Sequence, residues 1–312
     1  MLEAIALVAS FVGIMISSYV FTENLEKLFS DRGFSMRTIG SVIAPLFTSA
    51  PELVIIIISL LILSKDQSEE VINGVVLGEP FTVLSLGFFL FSIFIFKIRT
   101  PNKEKVQNVE LFLYIAISSL IIFFGKWISY GNYISAIFLV SIYIITTLGS
   151  SRKNESYVNE ADENYNYFKG IMLVILSGIL LMISSYFLLH SIKAISTELK
   201  IPTFYASLIL IPIGTILPEL MNSIFWGRKG KLELAIGNMV GESLIFITIY
   251  PALALFLGFF YYSLGTFILL MVIFVNSVLF YLGARFSDKY NNIFLMGLLF
   301  YILYMVLVFI TK

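Results

Sequence analysis

A nine-residue stretch occurs twice in this sequence, as PLFTSAPEL at positions 45–53 and as PIGTILPEL at positions 212–220. The identical positions are all displaced by 167 residues: Pro45, Thr48, Pro51, Glu52 and Leu53 recur as Pro212, Thr215, Pro218, Glu219 and Leu220. The match extends back, with the same displacement, to the tripeptide SSY at positions 17–19 and 184–186. The chain therefore contains an internal repeat, and each copy carries one carboxylate beside a proline.

The composition is typical of a membrane protein. Hydrophobic residues make up 59% of the 312 residues, charged residues make up 13%, and the mean hydropathy is +0.95. A soluble domain has about 25% charged residues. The absence of cysteine excludes disulfides, thiolate metal sites and a thiol nucleophile, and His190 is the one histidine. Because an ionisable side chain inside an apolar span is costly, each such residue is a candidate functional residue.

Runs of apolar residues near or above the ~20 that cross a bilayer predict membrane spans. We predict ten of them, near residues 3–26, 36–64, 71–97, 107–125, 130–149, 169–193, 202–226, 232–259, 262–283 and 291–311. Five spans per half would make the second half enter the membrane in the opposite sense. We therefore predict an all-α membrane protein of ten transmembrane helices, arranged as two inverted five-helix repeats with broken helices at the central site. The predicted units are a first repeat at 1–149, a polar linker at 150–168 and a second repeat at 169–312.

The distribution of Lys and Arg predicts the orientation, since these residues favour the cytoplasmic side of a membrane. Fifteen of the 20 follow the odd-numbered spans, and those on the opposite side are Lys65, Lys126, Lys193, Lys200 and Lys312. We expect an integral protein of the cell membrane, with both termini outside and the linker in the cytoplasm.

A second recurrence lies in the third and eighth spans, which read GVVLGE at 74–79 and GNMVGE at 237–242. The shared residues are displaced by 163: Gly74, Gly78 and Glu79 match Gly237, Gly241 and Glu242. Glycines four residues apart allow helices to approach closely, which explains the glycines but not the carboxylates. Pro80 follows Glu79 and should loosen the backbone there, a break that the second half does not share.

Four glutamates thus lie well inside predicted spans, away from the span ends, without a Lys or Arg at comparable depth. A carboxylate in such a place must take up a proton or meet a cation. Repeat symmetry should bring the four together near the midplane, where they offer up to eight oxygens. Calcium takes about six to eight oxygen ligands, whereas magnesium prefers to keep its waters, and softer metals prefer Cys or His.

Neighbouring residues could complete the site. Thr48 and Thr215 each lie four residues before a glutamate and share its helix face. Asn238 lies four residues before Glu242 and could add an amide oxygen, although its counterpart in the first half is Val75. The candidate cation-binding residues are Glu52, Glu79, Glu219, Glu242, Thr48, Thr215, Ser49 and Asn238. The candidate helix-breaking residues, which would release backbone carbonyls one turn earlier, are Pro45, Pro51, Pro212 and Pro218.

The paired PEL segments resemble the signature of the calcium/cation antiporter superfamily, which is close to GTSLPE in its sodium/calcium exchanger branch. GVVLGE and GNMVGE resemble the second conserved segment of that superfamily, of the GNxxGS type. The resemblance covers the whole chain and is to prokaryotic-type members. It implies exchange of Ca²⁺ for Na⁺ or H⁺ by alternating access, with no cofactor. It also implies that Glu52 and Glu219 are the central Ca²⁺ ligands and that Thr48 and Thr215 contribute backbone oxygens.

The sequence departs from this pattern where oxygens are expected for sodium. Phe47 replaces Gly, Ile216 replaces Ser, Glu79 and Glu242 replace the segment-ending Ser, and Val83 and Phe246 replace a polar residue four positions further on. The loss of oxygens and the gain of two titratable groups favour protons over sodium as the counter-ion.

Other functions remain open at this point. Exchange of another divalent ion, Mn²⁺ or Mg²⁺, is the nearest alternative. An intramembrane hydrolase with an acid dyad is more remote, because the predicted spans contain no Asp and no HExxH motif. We expect an ion antiporter and not an enzyme. Its expected partners are the lipid bilayer and inorganic cations, with no nucleic acid and no required protein partner indicated.

The orientation can be tested with a single cysteine, because the natural chain has none. Ser156→Cys, in the predicted linker, should react with an impermeant thiol reagent from the cytoplasmic side alone. Labelling of that cysteine in intact cells would contradict both the charge-based orientation and the ten-span prediction.

Overall fold

The computed structural model describes residues 2–30, 34–62, 64–95, 109–152, 166–198, 211–286 and 290–310. Within these ranges the chain is helical and contains no strand, which confirms the all-α class. The helices are α1 (Leu2–Ser30), α2 (Met36–Thr38), α3 (Ala44–Thr48), α4 (Ala50–Ile62), α5 (Lys65–Thr82), α6 (Phe88–Ile95), α7 (Val109–Gly125), α8 (Gly131–Arg152), α9 (Tyr167–Glu198), α10 (Ile211–Arg228), α11 (Leu232–Leu257), α12 (Leu264–Phe286), α13 (Tyr290–Phe294) and α14 (Gly297–Ile310).

Six segments of the described helices are long and apolar enough to cross a bilayer: Val8–Phe29, Lys65–Ile95, Gly131–Gly149, Tyr167–Ser184, Leu232–Leu257 and Leu264–Phe286. Two shorter apolar segments are Val109–Gly125 and Asn292–Leu307. Each predicted span overlaps at least one described helix. The predicted linker at 150–168 lies mostly outside the described residues.

The second predicted span is broken in the structure. A π-helical turn at Ile39–Ile43 joins α2 to α3, and Ser49, with φ −80° and ψ 3°, separates α3 from α4. Pro51 has no N–H to donate to the carbonyl of Phe47, four residues earlier. The interruption therefore lies between Pro45 and Pro51, directly before the turn that carries Glu52.

In the second half, the described part of the corresponding segment, Ile211–Arg228, is one continuous helix. Helix α10 continues through Pro218, which differs from the expectation of a matching interruption. A single internal proline removes one hydrogen bond and need not end a helix. Pro212 lies in the first turn of the described helix, where a missing N–H costs little.

A second π-helical turn, Val83–Gly87, joins α5 to α6 in the third predicted span. Helix α5 contains Pro80 and remains α-helical as far as Thr82. The loosening expected at Pro80 thus occurs about one turn after it, beyond Glu79. The carboxylate of Glu79 is consequently held on regular helix.

Helix α11 is the centre of the fold. Nearly every residue from Leu234 to Leu255 is buried, as expected for a helix that is apolar on all sides. It packs against α5, α8, α10 and the π turn at Ile39–Ile43. By contrast, α1 packs mainly against α9.

Close backbone contacts join α11 to the first π turn. A Cβ atom at Gly241 would overlap the carbonyl of Ser41, and one at Gly40 would lie 2.8 Å from the carbonyl oxygen of Leu234. Ser41 is also the residue whose carbonyl loses its ordinary helical donor to Pro45. This carbonyl therefore faces the backbone of α11. Gly74, Gly78 and Gly237 are likewise buried.

Two ion pairs connect the end of α1 to the turn between α10 and α11. Lys229 Nζ lies 3.5 Å from a carboxylate oxygen of Glu23, and Lys231 pairs with Glu26. Burial lowers the pKa of Lys231, and the nearby Glu23 carboxylate partly opposes that shift. These pairs fix the start of α11 relative to α1.

The Gly241 contact predicts a large effect of a single methyl group. Gly241→Ala should lower the free energy of unfolding by about 1–3 kcal/mol, because the backbone of Ser41 cannot move aside as a flexible side chain would. Thermal unfolding in detergent measures the effect. Gly178→Ala is the matched control: a Cβ there meets nothing within 4 Å, so its unfolding should change little. If Gly241→Ala and Gly178→Ala change the unfolding temperature equally, the close packing at Gly241 is contradicted.

Candidate cation-binding site

Three fully buried carboxyl groups meet at the centre of the protein. Glu79 comes from α5, Glu219 from α10 and Glu242 from α11, and each side chain is 0% exposed. One carboxylate oxygen from each lies within 4.8 Å of the others. Three of the four glutamates predicted to converge are therefore within reach of one small cation.

Glu52, the fourth predicted carboxylate, is 1% exposed and lies in the first turn of α4. It is close enough to act electrostatically on Glu242, as Glu79 and Glu219 do. It is nevertheless outside the group whose oxygens fall within 4.8 Å of one another. The break at Ser49 lies three residues before Glu52, so the position of this carboxyl depends on the conformation of a non-helical residue.

Thr48 brings the first half of the chain to a carboxylate of the second. Its hydroxyl donates to the Ala44 carbonyl at 3.1 Å, and its side chain also approaches the Glu219 carboxyl. Thr48 is 3% exposed and ends α3 at the break. The side chains of Pro51, Pro212, Thr215 and Pro218 lie outside the described part of the structure, so their predicted roles remain predictions.

Asn238 connects two of the carboxylate-bearing helices. Its amide nitrogen donates to the backbone carbonyl of Glu219 at 3.1 Å and to Ser223 Oγ at 3.2 Å. Its side chain is 0% exposed, and its Oδ1 has no hydrogen-bond partner among the described residues. The amide nitrogen thus holds α10 and α11 together, and the oxygen is left available to a ligand.

Ser49 has a partner that the sequence did not suggest. The Tyr250 hydroxyl lies 3.3 Å from the Ser49 carbonyl oxygen and 3.2 Å from its Oγ. Tyr250 was not predicted from the sequence, because it belongs to neither copy of the repeated motifs. Asn222, three residues after Glu219, was not predicted either; it is 0% exposed, and neither of its amide atoms is hydrogen-bonded within the described ranges. Only the helical spacing from Glu219 could have indicated it.

Buried carboxylate, amide and hydroxyl oxygens of this kind suit a hard cation such as Ca²⁺ or Mg²⁺. Glu219 and Glu242 take part in none of the ion pairs formed between described residues. Their charges must therefore be balanced by bound cations or by protons. The arrangement can hold a divalent ion and can also bind protons, at the same oxygens.

A family model described as sodium/calcium exchanger protein matches residues 2–151 and 169–312. The chain belongs to the sodium/calcium exchanger family. Members of this family are integral membrane cation antiporters, which agrees with the long apolar helices and the buried carboxyls. The family resemblance inferred from the sequence motifs is thereby confirmed.

Solved structures of the sodium-calcium exchanger NCX_Mj share the fold. One, soaked with Na⁺ and Ca²⁺, has a TM-score of 0.76 and 20% identity, and the match covers 98% of each chain. Another, soaked with Na⁺ and Sr²⁺, has a TM-score of 0.76 and 21% identity over the same share of each chain.

A curated relative is CaxA of Alkalimonas amylolytica, whose name places it among antiporters. It is 35% identical over 71 residues, which is 23% of this exchanger-family chain and 22% of the relative. The chain thus matches about a fifth of the length of that relative.

The carboxylate cluster predicts a charge requirement for cation binding. Glu219→Gln and Glu52→Gln keep side-chain size and remove one negative charge each, so each should weaken Ca²⁺ binding at least tenfold, about 1.4 kcal/mol. Calorimetry with detergent-solubilised protein measures the affinity, and thermal unfolding checks that the variants fold. Glu70→Gln, at an exposed position, should bind as the natural protein does. Unchanged affinity in either site variant would remove that residue from the site.

Proposed function

We propose that this protein exchanges Ca²⁺ for H⁺ across the cell membrane by alternating access. The observation that carries the proposal is the convergence of Glu79, Glu219 and Glu242, wholly buried and within 4.8 Å of one another. Family membership supports Ca²⁺ as the transported ion, and the chemistry of the cluster supports protons as the counter-ion.

Charge balance favours coupling to protons. If Glu79, Glu219, Glu242 and the nearby Glu52 were all ionised, one bound Ca²⁺ would leave a net charge of about −2 in a poorly solvated place, and like charges so close oppose one another's ionisation. The occupied site therefore keeps about two protons, shared among the four groups as a coupled set. When Ca²⁺ leaves, repulsion increases and further protons bind. Calcium and protons then compete for the same oxygens, which exchange requires.

The residues that replace the family's polar positions argue against sodium coupling. Val83 and Phe246 are both 0% exposed and offer no side-chain oxygen. Glu79 and Glu242 stand where the family pattern has serine, and a serine cannot titrate in the physiological range. The chain has thus lost oxygens suited to Na⁺ and gained two groups that can carry protons.

Alternating access follows from the inverted repeat that the sequence predicts. Contacts between α1 and α9, between α5 and α11 and between α7 and α12 support it, because each pair joins repeat-related spans. The two separate matches of the family model support the same division into 1–149, a linker and 169–312. We propose that the linker is cytoplasmic and that both termini are outside, as the Lys and Arg distribution predicts.

The proposal is tested by Ca²⁺ flux in proteoliposomes with the Na⁺ and pH gradients imposed separately. A pH gradient alone should drive Ca²⁺ movement, and a Na⁺ gradient alone should not. If no Ca²⁺ flux occurs without a Na⁺ gradient, sodium is the counter-ion instead of protons. Replacing Ca²⁺ with Mn²⁺ or Mg²⁺ in the same assay tests the alternative divalent substrates.

The role of the two additional glutamates gives a sharper prediction. The double variant Glu79→Ser, Glu242→Ser should flatten the pH dependence of transport between about pH 5 and 8 more than it lowers Ca²⁺ affinity, because serine does not titrate there. Flux and affinity are measured across that range without sodium. If the Ca²⁺ affinity of the natural protein does not change with pH across that range, the proton mechanism is wrong.

A further inference from the structure

Tyr250 lies between the cation site and a cavity. On one side its hydroxyl contacts the Oγ and carbonyl oxygen of Ser49 at 3.2 and 3.3 Å. On the other side it lines a small apolar cavity together with Ile56, Leu60, Ile72 and Leu253. Its ring packs edge-on against Phe246, with ring centroids 4.6 Å apart. The tyrosine thus separates an apolar space from the oxygens near Glu52.

The position of Tyr250 along α11 fixes the side on which it lies. It follows Glu242 by eight residues, a rise of about 12 Å along a helix. The proposed orientation directs α11 from the cytoplasm outward, so Tyr250 lies on the outer side of the carboxylates. Helical side chains lean toward the N-terminus of their helix. The Tyr250 side chain therefore points back toward the carboxylates and covers Ser49 from the outer side.

The internal repeat relates Tyr250 and Ser49 to a different pair of residues, which lies on the cytoplasmic side of the carboxylates in the proposed orientation. The displacement of 163 relates Gly87 to Tyr250, and the displacement of 167 relates Ser49 to Ile216. Gly87 and Ile216 are also neighbours, because a Cβ at Gly87 would lie 2.7 Å from Ile216 Cδ1. A polar, rotatable pair on one side of the site thus corresponds to an apolar, fixed contact on the other.

We propose that Tyr250 is the outer gate of the cation path, held closed by its hydrogen bond to Ser49, and that its inner counterpart at Gly87 and Ile216 has no such gate. The proposal rests on the proposed transport function and adds a residue that controls access from one side. Opening requires the hydroxyl to leave Ser49, which uncovers oxygens beside Thr48 and Glu52.

Tyr250→Phe removes the hydroxyl and keeps the ring. A buried hydrogen bond contributes about a fivefold factor to an equilibrium. The ratio of outward-open to inward-open protein should rise by that factor, and the ratio of apparent Ca²⁺ affinities from outside and inside should rise equally. These affinities are measured in right-side-out and inverted vesicles. A tyrosine with a merely structural role would change both affinities together.

Tyr262→Phe is the matched control, because the Tyr262 hydroxyl is buried without a hydrogen-bond partner among the described residues. It should leave the affinity ratio unchanged. Equal shifts on both sides, or no shift, in Tyr250→Phe would overturn the gate while leaving Ca²⁺ transport intact. An absence of Ca²⁺ flux in the natural protein would instead contradict the proposed function.

A second measurement does not depend on transport. Thr48→Cys gives the cysteine-free chain one thiol on the site side of Tyr250, and a small cationic methanethiosulfonate reagent is applied from outside. Adding Tyr250→Phe should speed the modification about fivefold, whereas adding Tyr262→Phe should not. Equal rates with and without Tyr250→Phe would overturn the gate, whichever ion the protein carries.

Discussion

Repulsion among buried carboxyl groups is the constraint on which the rest of the structure depends. Two like charges about 4 Å apart repel by roughly 4 kcal/mol even at an effective dielectric constant of 20. Glu79, Glu219 and Glu242 are held at such distances without water-exposed surface. The protein must therefore keep the three helices that carry them from moving apart, and something with positive charge must always be present.

The scaffold achieves this through a few rigid connections. Helix α11 is buried along nearly its whole length, Asn238 joins it to α10, and the first π turn contacts its backbone. Because these contacts involve backbone and short side chains, the helices that carry the carboxyl groups cannot easily move apart. In the proposed function, this repulsion is relieved by protons or a cation rather than by movement of the helices.

Much of this arrangement could be predicted from repeated residues and apolar run lengths. The helical class, the approximate bounds of the helices and the convergence of three of the four glutamates all follow from them. The π turns at Ile39–Ile43 and Val83–Gly87 could not be predicted, because they depend on contacts with distant helices as well as on nearby prolines. The uninterrupted course of α10 through Pro218 was also missed, since a proline motif alone does not show whether neighbouring turns absorb the lost hydrogen bond. Tyr250 could not be predicted from the repeat, because the equivalent position in the first half is Gly87, which has no side chain.

The glycine at position 241 allows the closest possible approach of α11 to the π turn at Ile39–Ile43. No residue is smaller, and the carbonyl of Ser41 already lies against it. Substitution can therefore only widen the spacing between this part of α11 and the segment that leads to Ser49 and Glu52. Evolution can therefore loosen the packing between the two halves of the chain at this point by adding a methyl group, at a cost in stability, but it has no single substitution that tightens it.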